Sequence, residues 1–135
     1  MTEFSPYTNF VIVVDDEPSI CLLVREMLSE SGFRVLTAND GLEALSIVAD
    51  QPDCVSVAIL DYSMPGLDCE TLITRLKSLC PSVRIVISSG AATQPFRDSL
   101  SQMIDATLPK PYTMRELVQV VSNLTGHTSV TETTE

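Results

Sequence analysis

The chain has 135 residues, 44% of them hydrophobic, which suits one domain with one packed core. Its formal charge of −10, with the basic residues scattered in no run or stripe, argues against nucleic acid as a partner and favours a cationic surface or a bound metal ion. No signal peptide opens the chain and no apolar run approaches membrane-spanning length, so the expectation is a cytoplasmic protein with no membrane contact.

Residues 1–9 are polar and are expected to form a flexible N-terminus. Phe10–Val14 is a continuous apolar run, as in a strand buried on both faces. Ile20, Leu23, Val24, Met27 and Leu28 then repeat at helical spacing, with Pro18 suited to the first turn and Ser31-Gly32 to the end. RVLTA (34–38) reads as a second strand. Leu42, Leu45, Val48 and Ala49 mark a second helix stopping before Pro52, and VSVAIL (55–60) is a third strand. Leu72, Ile73, Leu76, Leu79 and Cys80 share a helical face ended by Pro81. RIVIS (84–88) is a fourth strand, and Phe96, Leu100, Met103 and Ile104 predict a fourth helix. DATL (105–108) is a short fifth strand. The last helix runs from Thr113 to Leu124, opened by the capping box Thr113-x-x-Glu116. Residues 125–135 have no periodicity and are expected to be a disordered tail, leaving 10–124 as the domain. Cys21, Cys54, Cys69 and Cys80 show no CxxC spacing and read as reduced, mostly buried thiols.

Five β-α units in a row imply an α/β three-layer sandwich, a parallel sheet with right-handed crossovers and helices on both faces. Such sheets carry their functional groups at the carboxyl ends of the strands. Here those ends hold Asp15-Asp16, Asp61, Ser88-Ser89-Gly90 and Lys110-Pro111. Carboxylates this close repel unless they share a cation, and Mg²⁺ takes oxygen ligands from one or two carboxylates plus waters and phosphate. A serine hydroxyl and a lysine facing that metal make a phosphoryl pocket. Asp61, alone on the loop of ILDYSMPG, is the candidate nucleophile, since carboxylates form aspartyl-phosphates and need no base. Taken singly these groups have plain readings: Asp15, Asp16 and Glu17 as acids at a helix N-terminus, Lys110 as a surface lysine, Ser89-Gly90 as a turn. Tyr62, Tyr112 and the methionines read as packing, and His127 as a solvated side chain.

The pieces VIVVDDEPSI, DGLEAL, ILDYSMPGLD, VRIVISSG and LPKP occur in order, and with them the chain resembles the receiver domain of bacterial two-component response regulators over roughly residues 10–124. The resemblance implies a flavodoxin-like fold of strand order 2-1-3-4-5. It implies Asp61 as phosphoacceptor, with a sensor histidine kinase or histidine phosphotransfer protein as donor. It implies Mg²⁺ held by Asp15, Asp16, Asp61 and the backbone carbonyl of Ser63, with Asp16 a direct ligand. Ser89 becomes the switch hydroxyl, with Ser88 the alternative because the serine is doubled. Lys110 becomes the phosphate-binding lysine, followed by a cis Lys110–Pro111 bond. The family's aromatic three residues before the lysine is here Thr107, and its common Gly after MPGLD is Cys69. With no further domain expected after Leu124, output is expected through a protein target on helix 4, strand 5 and helix 5. Two other readings are a small Mg²⁺-dependent aspartyl-phosphate phosphatase and a pseudo-receiver that only binds. Ser63, where such a phosphatase carries its acid/base Asp, argues against the first; the complete set of acids with Lys110 argues against the second.

Overall fold

A computed structural model describes residues 10–50, 55–62, 66–89 and 98–126. Expectations for the N-terminus, for Cys54, Ser63, Phe96 and His127, and for residues 127–135 of the tail fall outside these. Ten elements alternate along the chain: β1 (Phe10–Val14), α1 (Pro18–Glu30), β2 (Arg34–Ala38), α2 (Gly41–Asp50), β3 (Val55–Asp61), α3 (Cys69–Leu79), β4 (Arg84–Ser89), α4 (Asp98–Ser101), β5 (Ala106–Pro109) and α5 (Met114–Thr125). The strands form one sheet in the order β2-β1-β3-β4-β5, every pairing parallel. This is the flavodoxin-like order, in which the chain reverses its direction of winding after β2 and crosses β1 to reach β3.

Side chains alternate across each strand, so the sheet divides two cores. Ile12, Val14, Ala58, Leu60, Ile85 and Ile87 face α2 and α3 and pack on Ala44, Val48, Leu72, Ile73 and Leu76. Val11, Val13, Val57, Ile59, Val86 and Leu108 face α1 and α5 and pack on Cys21, Val24, Leu28, Leu117 and Val121. Burial on both faces is why the strands read as unbroken apolar runs.

Local signals set the helix ends. Pro18 lies in the first turn of α1, and Gly32 takes φ 95° just after its end, where Phe33 N–H donates back to Leu28 O. The Asp68 carboxylate accepts from Thr71 N–H at 2.8 Å and opens α3. At α5 both halves of the Thr113/Glu116 capping box form. Two helix faces differ from the expected ones. Leu23 is exposed and Cys21 takes the inner position on α1, while Leu42 is exposed and Gly41 is buried on α2. The described part of the fourth helix, Asp98–Ser101, is one turn, and Met103 and Ile104 pack against the α2/α3-side core from beyond its end.

Candidate functional site

The carboxyl ends of β1, β3 and β4 come together at one edge of the sheet. Asp15 N–H donates to Ala38 O, and Asp61 pairs in register with Ser88, which pairs with Leu108. By alternation Asp15, Asp61, Ser88 and Leu108 all point to the α1/α5 side, and each is buried. Lys110, two residues past Leu108, comes to the same side. Its Nζ lies 3.2 Å from Asp15 Oδ2 and 3.7 Å from Asp61 Oδ1. Exposed Asp16 adds a third carboxylate, and one oxygen from each of Asp15, Asp16 and Asp61 falls within 4.8 Å of the others.

Backbone contacts hold the cluster in place. Glu17 N–H donates to Asp15 Oδ1 at 3.0 Å, which turns the carboxylate toward the start of α1. Lys110 N–H donates to Ser89 O at 2.7 Å and ties the lysine to the end of β4. The Lys110–Pro111 bond is cis. Burial alone would lower the Lys110 pKa, but the hydrogen bond and charge of Asp15, with the charge of Asp61, reverse this and raise it. Lys110 is therefore a cation throughout the physiological range. Nearby thiols are not activated: burial raises the pKa of Cys21, and burial with Asp68 and Asp61 pushes Cys69 up to about 11.

The oxygen-only donor set, with one exposed and two buried carboxylates, matches what a hard divalent cation requires. Of the expected site residues, the fold brings together Asp15, Asp16, Asp61 and Lys110. Ser89, half-buried, is the rim residue of β4, one position beyond the Asp61 row. Ser88 sits in that row itself, 2% exposed, and its Oγ makes no hydrogen bond among the described residues. Thr107 is exposed on β5.

Tyr112 was expected only to pack. It does pack against the α1/α5-side core, yet its phenol also lies beside Ser88 and within the field of Lys110 and the two buried acids. Burial raises its pKa against the opposing effect of the Lys110 cation, so the phenol stays protonated at neutral pH. The signal for it was its place two residues beyond Lys110, at the edge of the acidic cluster.

The model for the response regulator receiver domain matches residues 11–122. The chain belongs to the response-regulator receiver family. Response regulator MprA of Mycobacterium leprae (strain TN) is 32% identical over 133 residues, covering 93% of this chain and 54% of that protein. MprA of Mycobacterium sp. (strain KMS) is 33% identical over 130 residues, covering 90% and 53%. Among solved structures, a response regulator receiver domain protein from Clostridium thermocellum superposes with TM-score 0.76 at 25% identity, covering 87% of this chain and 94% of that one. The receiver domain from the hybrid histidine kinase CckA superposes with TM-score 0.74 at 27% identity, covering 86% and 98%.

The receiver thus spans about half the length of the curated relatives it matches. The expectations of no nucleic-acid partner and of output through protein contacts alone were drawn from this stretch, and they do not extend to regulators of twice its length. Among the described residues, no helix is long and apolar enough to cross a membrane.

Proposed function

We propose that this receiver takes a phosphoryl group onto Asp61 from the phosphohistidine of a sensor histidine kinase or phosphotransfer protein, and passes the signal on by changed protein contacts. One observation carries the reading: the Lys110 ammonium stands between two buried carboxylates, 3.2 Å from Asp15 and 3.7 Å from Asp61, beside an exposed third acid. Asp15 is held by Lys110 and by Glu17 N–H. Asp61 is the buried acid with the longer contact to the lysine, at the end of the central strand β3.

An Asp61 oxygen attacks phosphorus, the P–N bond to the donor histidine breaks, and the electron pair stays on the imidazole nitrogen, which takes a proton from solvent. The carboxylate enters already ionised, so no base is used. Lys110 turns from its acids to the incoming phosphoryl oxygens as a fixed positive charge. Ser89, at the rim, supplies a hydroxyl where those oxygens emerge. Asp15, Asp16 and Asp61, with the Ser63 carbonyl, would hold Mg²⁺, which when bound neutralises charge on the phosphoryl oxygens. Water later attacks phosphorus and returns the carboxylate, so the protein acts as an acceptor that assists its own turnover, in the cytoplasm with its kinase. The proposed unit is residues 10–124.

The output surface proposed is α4, β5 and α5, where Leu108, Pro111, Arg115, Gln119 and Val120 line an open groove. Incubation with acetyl phosphate and Mg²⁺ should add one phosphoryl mass to the intact chain, and Asp61→Asn should abolish it. Normal labelling of Asp61→Asn would remove the assignment.

A further inference from the structure

We propose that Ser88 and Tyr112 form a hydroxyl pair that positions the Asp61 carboxyl group from the floor of the site and sets the lifetime of its phosphorylated state. The inference rests on Asp61 being the acceptor. Ser88 and Asp61 are lateral partners on neighbouring strands, which run about 4.8 Å apart, and both side chains leave the same face. The Ser88 hydroxyl therefore lies beside the Asp61 carboxylate, on the flank away from Asp15. It is buried and makes no hydrogen bond among the described residues. A buried hydroxyl left without a partner is costly, and this one sits next to a strong acceptor.

Tyr112 packs against the same α1/α5-side core with its phenol beside Ser88, whose Oγ makes no hydrogen bond there. A serine hydroxyl has one donor and can accept at the same time. Tyr112 Oη–H can thus donate to Ser88 Oγ while Ser88 Oγ–H donates to an Asp61 oxygen. Lys110 approaches Asp61 from the chain that follows β5, and Asp16 lies on the exposed side.

In the aspartyl-phosphate, the Asp61 oxygen not bonded to phosphorus is a carbonyl. When water bonds to phosphorus, the Asp61 O–P bond breaks and its electron pair returns to the carboxylate, releasing inorganic phosphate. Negative charge grows on both Asp61 oxygens during that step. A donor aimed at one of them gains strength as the charge grows, and so speeds the loss of phosphate. The pair acts on Asp61 rather than on water or phosphorus, so its members are positioning residues.

The test uses the full chain, labelled with acetyl phosphate and Mg²⁺ and then desalted, with the half-life of the phosphorylated form followed by intact mass. Ser88→Ala and Tyr112→Phe should each lengthen it by roughly three- to tenfold, the size of one neutral hydrogen bond. The double variant should be no slower than the slower single one, because the two hydroxyls act in series. Ser88→Thr, which keeps the hydroxyl, should stay within about twofold of wild type. Thermal midpoints of Ser88→Ala and Tyr112→Phe should hold or rise, which a merely structural role cannot combine with a changed half-life. Wild-type half-lives in both single variants would overturn the proposal while leaving Asp61 as acceptor, as would a Ser88→Thr half-life matching that of Ser88→Ala. Failure of the wild-type chain to label at all would overturn both readings together.

Discussion

Lys110 lies nearer to Asp15 than to Asp61, and this asymmetry has consequences for stability as well as for chemistry. Asp15 also accepts from Glu17 N–H, so without a divalent cation Asp61 is the buried acid that stands farther from the lysine in a cluster of like charges. Asp61→Asn should therefore raise stability in EDTA by about 1 kcal/mol, read as a higher urea midpoint. Asp15→Asn, which breaks two contacts, should not. At high pH the same residues work the other way. Lys110 has a folded pKa above its unfolded one, so its contribution is complete below the unfolded value and is lost as pH rises through the folded value. Tyr112, also raised, is protonated in the fold while the unfolded chain ionises from about pH 10, with the same sign. Urea midpoints should fall steeply above about pH 10, and Tyr112→Phe should flatten part of that fall.

Among the elements, α5 has the strongest local instruction. The Thr113 hydroxyl and the Glu116 carboxylate satisfy each other's backbone N–H groups three residues past Lys110. Thr113→Ala should lower unfolding stability by about 1 kcal/mol in a urea titration. The order of strands and helices, the capping box and the stops at Gly32 and Pro81 were all legible, because each depends on residues close together in the chain. Helix orientation was less so. On α1 the apolar residues fit two overlapping stripes, and periodicity favoured the one through Leu23. The fold uses the stripe through Cys21, Val24 and Leu28, because the Cys21 thiol is small enough to approach the sheet and donates to Asp15 O at 3.4 Å. On α2, Gly41 is buried for a similar reason: an added Cβ would come 3.2 Å from Leu67 Cδ2. Close approach depends on partners distant in sequence, which periodicity does not register. The site shows the same division. Its charged members and the serine pair were readable from the strand ends. Which serine lies in the row of Asp61, and the part played by Tyr112, were not, because they depend on strand register and on the path of the chain after Pro111.

At the scale of the whole molecule, the parallel sheet gathers the ends of three strands and the loop after a fourth, so separate acids become one negative site. Mg²⁺ should raise the thermal midpoint in a concentration-dependent way, since the three carboxylates proposed to hold it come together only in the folded chain. Asp16→Asn should blunt that rise more than Asp15→Asn, as titration calorimetry with MgCl₂ can check. The level row of Asp15, Asp61, Ser88 and Leu108 also bears on time. Its members lie just past β1 and on β3, β4 and β5, and Asp15 is 95 residues from the lysine that neutralises it. Contacts of such long sequence separation form late in folding, after the loops between them have closed. On the function proposed above, a chain leaving the ribosome, or one with β5 undocked, lacks the complete acceptor site. The ability to take up phosphate then marks the finished fold, and a half-made copy is mute to a kinase.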